Sequence, residues 1–103
     1  MKKINELRFG TAGIPISTPK HNTANGIEQV RKLGLSAMEL EFVQSVNINE
    51  QGAPAVKEAA EKNDVVLTCH GQYFINLNAR EKAKLEASKH RVYNAAKRAW
   101  QCG

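Results

Sequence analysis

Val65–Asn78 reads VVLTCHGQYFINLN. Val65, Val66 and Leu67 form the continuous apolar run expected of a strand in a sheet covered by helices. The run then gives way to a polar and aromatic turn, His70-Gly71-Gln72-Tyr73-Phe74. Asn78 with Glu81 three residues later has the spacing of a capping box, in which side chains satisfy free amides at a helix start. A helix is therefore expected over about Ala79–Gln101, with Leu85, Val92, Ala95, Ala96 and Ala99 as its apolar stripe and Tyr93 and Trp100 beside it.

Two similar units precede this one. ELRFGTA gives a strand around Leu7–Thr11, followed by the loop AGIPISTPKHNT and the helix NGIEQVRKLG. Asn25 and Glu28 suggest a second capping box, Ile27, Val30 and Leu33 fall at helical spacing, and Gly34 suits the left-handed turn after a helix. SAMELEFV, Ser36–Val43, alternates Met38, Leu40 and Phe42 with Glu39 and Glu41, as a strand does. After QSVNINEQG, a helix is expected over Ala53–Asn63, with Pro54 in its tolerant first turn. The order βαβαβα with short connections predicts parallel strands, right-handed crossovers and an α/β fold. Three such strands leave two sheet edges unpaired and one face bare. We therefore read residues 1–103 as a single partial domain, either the front of a longer protein or a unit that assembles with copies of itself.

A composition of 42% hydrophobic and 24% charged residues argues against disorder. No apolar run approaches the length of a membrane span, and MKKINELRFG lacks the apolar centre of a secretory signal. Cys69 and Cys102 have no metal-binding spacing and read as reduced thiols of a cytoplasmic protein. The net charge of +5 permits contact with nucleic acid, but the late basic run REKAKLEASKHRVYNAAKR is interleaved with Glu81 and Glu86 and reads as a solvated helix face. His21 and His90 are expected at the surface.

Parallel α/β proteins gather their chemistry at the carboxyl ends of strands. Here those ends carry FGTAGIPIS, LEFVQS and CHGQYFINLN, whereas the opposite loops, RKLGLS and EKND, read as plain connectors.

CHGQYFINLN ahead of a helix rich in EKAKLEASKHR resembles the third βα unit of the endonuclease IV family, the zinc-dependent (β/α)8-barrel phosphodiesterases that cut DNA at abasic sites in base excision repair. LRFGTAGIP and LGLSAMELEFVQSV are similar to the first and second units of the family's archaeal-type members. The most specific element is His-x-x-aromatic-apolar-Ile-Asn-Leu, His70–Leu77. The resemblance implies that the fold is the N-terminal part of a (β/α)8 TIM barrel, its first three units. It implies that His70 is a zinc ligand; the alternative is a core histidine bonded to a backbone carbonyl. Tyr73 and Phe74 match the position at which the family inserts side chains into the minor groove of DNA, or else they staple the loop to the third helix. Gln44 and Ser45 fall in a DNA-contacting loop, where they would donate to phosphate or sugar oxygens, or are simply solvated. Glu41 is expected inside the barrel if Glu39 does not reach the mouth, as outer support for a metal ligand or as half of an ion pair. Asn76 is expected to fix the loop. Gly71-Gln72 departs from the small or acidic residue, then small residue or proline, commoner in the family. The family's other zinc ligands lie on later strands, so these residues alone are expected to hold no complete zinc site and to catalyse nothing.

Two rivals share the same residues. In a sugar isomerase or epimerase of the same superfold, Glu41 and His70 would face a metal-bound polyol and move protons. In a non-catalytic module, the exposed sheet edges would bring copies of the chain together.

Overall fold

The computed structural model describes residues 4–103. Six elements alternate along them: β1 (Gly10–Ala12), α1 (Thr23–Lys32), β2 (Ala37–Glu41), α2 (Ala53–Asn63), β3 (Val66–His70) and α3 (Lys82–Gln101). The strands form one parallel sheet in the order β1-β2-β3. Three consecutive βα units of this kind fit the N-terminal part of a TIM barrel. Among the described residues no helix is long and apolar enough to cross a membrane.

Register sorts the side chains onto two faces. Met38 and Leu40 pair with Leu67 and Cys69 on the helix-covered face. There they join Phe42, Ile27 and Val30 beside α1, Val56 and Ala60 of α2, and Ala95 and Cys102 at the end of the chain to form the core. The other face carries Gly10 and Ala12 of β1, Ala37, Glu39 and Glu41 of β2, and Val66, Thr68 and His70 of β3. Among the described residues no helix covers it, and Thr68 and His70 are exposed.

Several boundaries differ from expectation. β1 begins at Gly10, not Leu7, because pairing starts where the Phe9 carbonyl accepts from both Ser36 N and Ala37 N. Leu7 and Phe9 are exposed. β2 is likewise shorter than Ser36–Val43, although Phe42 N still donates to the His70 carbonyl at 3.1 Å. α1 is capped by Asn22, whose Oδ1 accepts from Asn25 N at 2.9 Å. Asn25 is thus inside the helix, and its amide donates back to the Lys20 carbonyl at 2.9 Å. Leu33 leaves the apolar stripe to become the C-cap, and Gly34 takes the expected left-handed conformation with φ 80°. α2 occupies the expected span, with Pro54 in its first turn.

α3 starts at Lys82 without a side-chain cap. Glu81 pairs with Lys84 at 3.2 Å, and Asn78 N donates to Asn76 Oδ1 at 3.0 Å, so both members of the expected capping box are engaged elsewhere. The expected apolar stripe is also mostly unburied: Ser88 and Ala95 are the buried residues of α3, while Val92, Tyr93 and Trp100 are exposed. A helix of 20 residues is about 30 Å long, whereas a strand of five covers roughly 17 Å, so β3 cannot shelter it. The last turn of α3 is held at the β2–α2 loop, where Arg98 donates to the Ile48 carbonyl and Gln101 Nε2 to Glu50 Oε1.

At the N-terminal ends of the strands, Arg8 Nη1 donates to the Asp64 carbonyl at 2.8 Å and Arg31 Nη2 to the same oxygen at 2.6 Å. Both guanidinium groups also pair with the Asp64 carboxylate. The connectors read as plain therefore form an ionic staple.

Candidate functional site

The C-terminal strand ends lie together at the opposite rim. Glu41 and His70 are register partners on adjacent strands and share the uncovered face. His70 is exposed, and its Nδ1 lies 2.6 Å from the Gly71 carbonyl. A carbonyl only accepts, so Nδ1 carries a proton, and in the neutral ring the lone pair is on Nε2. The ring is thus held as a metal-ligating or proton-accepting imidazole would be. Tyr73 meets it edge-on, with ring centroids 5.5 Å apart and planes at 71°.

Glu41 sits in a tighter place. Its Oε1 is shielded from solvent and lacks a partner within hydrogen-bonding distance. Gly13, with φ 91°, closes one side; a Cβ there would lie 3.2 Å from Glu41 Cγ. The neighbouring Glu39 carboxyl is the largest influence raising the Glu41 pKa; burial adds to it, and His70 opposes it. Glu41 is thus a carboxyl whose protonated form is favoured by its place beside Glu39 and by burial. Burial, followed by repulsion from Glu39, pushes the Cys69 thiol up to about 11.

The two aromatic residues diverge. Tyr73 stands over His70, while Phe74 turns to α3, where the Arg91 guanidinium lies 4.9 Å from its ring centroid. Both rings remain exposed, as do Gln44 and Ser45. The loops after β2 and β3 are tied together: Tyr73 N donates to the Val43 carbonyl at 2.9 Å and Gln72 Nε2 to the Gln44 carbonyl at 3.2 Å. Asn76 fixes the next turn, its N donating to Ser88 Oγ and its Oδ1 accepting from Asn78 N. His21 and His90 are exposed. Among the described residues no three His, Cys, Asp or Glu side chains gather as a metal cluster.

Residues 27–103 match the family described as the xylose isomerase-like TIM barrel. The chain belongs to that family. It is 44% identical over 97 residues to the uncharacterized protein MJ0133 of Methanocaldococcus jannaschii, an alignment that covers 94% of this chain and 34% of that protein. The chain thus spans about a third of the length of the curated relative it matches. In a TIM barrel the uncovered sheet face is the barrel interior and the His70 rim is the mouth, where this fold keeps its chemistry.

Sequence reasoning left Glu39 undecided and missed two contributors, Gln72 and Arg91. Glu39 acts with Glu41, and the period-two spacing on β2 carried that signal. Gln72 ties two loops, and Arg91 reaches Phe74 across 17 positions of sequence, contacts that no local pattern encodes.

Proposed function

We propose that the chain contributes the first three βα units of a zinc-dependent, endonuclease IV-like phosphodiesterase acting at abasic sites in DNA. The observation that carries this reading is His70: an exposed imidazole at a barrel-mouth strand end, its Nδ1 committed to a carbonyl and its Nε2 lone pair available. These residues fit one share of a metal site, the remainder of which belongs to later strands of the barrel. Zinc, when bound, supplies a Lewis acid that acidifies water and neutralises phosphate charge. The chain's own residues do the rest of the local work. Gly71 fixes the His70 ring, and Glu41, its register partner, stands beside it with a pKa raised by Glu39 and burial. Tyr73 offers a flat exposed ring to unstacked DNA, with Phe74 behind it, and Gln44 and Ser45 donate to phosphate or sugar oxygens. The free thiols of Cys69 and Cys102 suit a cytoplasmic setting.

The test is nicking of a duplex with a single abasic site by the protein that carries the whole barrel. Chelation should abolish cleavage, and His70→Ala should reduce it by at least about 100-fold. Cleavage indifferent to both would refute the reading.

A second reading draws support from Glu41, whose pKa, raised by the neighbouring Glu39, suits a proton-transfer group. In a sugar isomerase or epimerase Glu41 and His70 would face a polyol. Solvent deuterium appearing in a sugar, followed by NMR, would select that reading over phosphodiester hydrolysis.

A further inference from the structure

Between the β3–α3 loop and the first half of α3 runs a groove of about 430 Å³. Its walls carry Phe74, Lys84 and Arg91, and no carboxylate lines it. Ala83 and Ala87, one helical turn apart, keep its floor low, so that an extended chain can lie close to the helix. The nearest acids of α3 are already paired, Glu81 with Lys84 at 3.2 Å and Glu86 with Lys89 at 3.1 Å. Both pairs are exposed, so Lys84 changes partner at little cost. The Arg91 guanidinium over the Phe74 ring is a preformed stack of cation and aromatic ring.

We propose that this groove seats one strand of nucleic acid, with Arg91 and Lys84 on its phosphates and the Phe74–Arg91 stack as the platform for a base. The inference rests on the DNA reading above and extends it from the strand-end loops onto the flank of α3. One feature favours a nucleotide strand over an acidic peptide. Cations alone would serve either, but a ring stacked with a guanidinium matches a partner that alternates flat bases with negative charge. The volume has room for a nucleotide unit.

The test is fluorescence anisotropy of the 103-residue chain with a labelled thymidine 12-mer at several salt concentrations. Binding should weaken with salt. Arg91→Ala and Lys84→Ala should each weaken it about tenfold and flatten its salt dependence. Phe74→Leu should weaken it by a similar factor with the salt dependence retained, because stacking involves no counterion. Lys62→Ala, on the outer surface of α2, is the control and should match the parent, with circular dichroism verifying the fold of each variant. No binding, equal loss in Lys62→Ala, or displacement of the oligonucleotide by polyglutamate as effectively as by unlabelled thymidine 12-mer would each overturn the proposal. The two readings fail separately. Loss of the groove would leave chelator-sensitive nicking dependent on His70, and loss of the abasic-site reading would leave strand binding dependent on Arg91.

Discussion

At the N-terminal ends of the strands, Arg8 and Arg31 converge on Asp64 and satisfy both its carbonyl and its carboxylate; Arg8 Nε alone is left without a partner. At the C-terminal ends, Glu41 Oε1 and Gln72 Oε1 are shielded and unpartnered, two aromatic rings stand in solvent, and two carboxyls crowd together. One rim spends its polar groups on each other and so holds the sheet. The other keeps polar capacity in reserve at a cost in stability, as binding sites do. The difference makes a mechanical claim: substitutions at the first rim should unfold the chain, and those at the second should alter chemistry while sparing the fold.

The largest effect is expected at Gly10. A Cβ there would fall onto the Ala37 carbonyl of the neighbouring strand, so Gly10→Ala cannot keep β1 paired. It should cost about 4 kcal/mol or more in urea unfolding and free the β1 amides to exchange. Arg8→Ala removes charged donors to Asp64 and should cost about 2 kcal/mol by the same measurement. At the opposite rim, His70→Ala should change stability by no more than about 0.5 kcal/mol, because the ring is exposed and bonded only to the adjacent carbonyl. A large loss of stability there would erase the contrast between the rims.

Glu41 sharpens the contrast through its sign. Its pKa is raised in the folded chain, so its contribution to stability is complete below the unfolded carboxyl pKa and is lost as pH rises through the folded value. Glu41→Gln should therefore raise the melting temperature near pH 7 and bring no gain near pH 3. A gain confined to acid would mean that Glu41 is a stabilised carboxylate after all. The smallest effect concerns Cys69, whose thiol is pushed up to about 11. Its alkylation should be slow at neutral pH and accelerate towards that value.

Much of this was legible in the chain and some was not, for identifiable reasons. Met38, Leu40 and Phe42 announced a strand with one apolar face, and α2 lies where its apolar spacing and Pro54 put it. The start of α1 differs from expectation because Asn22 and Asn25 are both competent caps, and only the turn at Pro19–Lys20 decides between them. The stripe on α3 was misjudged because periodicity reports what a helix can bury, and a three-stranded sheet offers it too little cover. His70 at a strand end was visible directly. The arginine staple was not, because Arg8 and Asp64 meet across 56 positions.

The bonds from Tyr73 N to Val43 and from Gln72 to Gln44 carry a last consequence. They lock the second and third loops at a set spacing before anything arrives. The edge they form works as a ruler: the interval between the two segments is fixed, and the entropy of aligning them is spent when the chain folds.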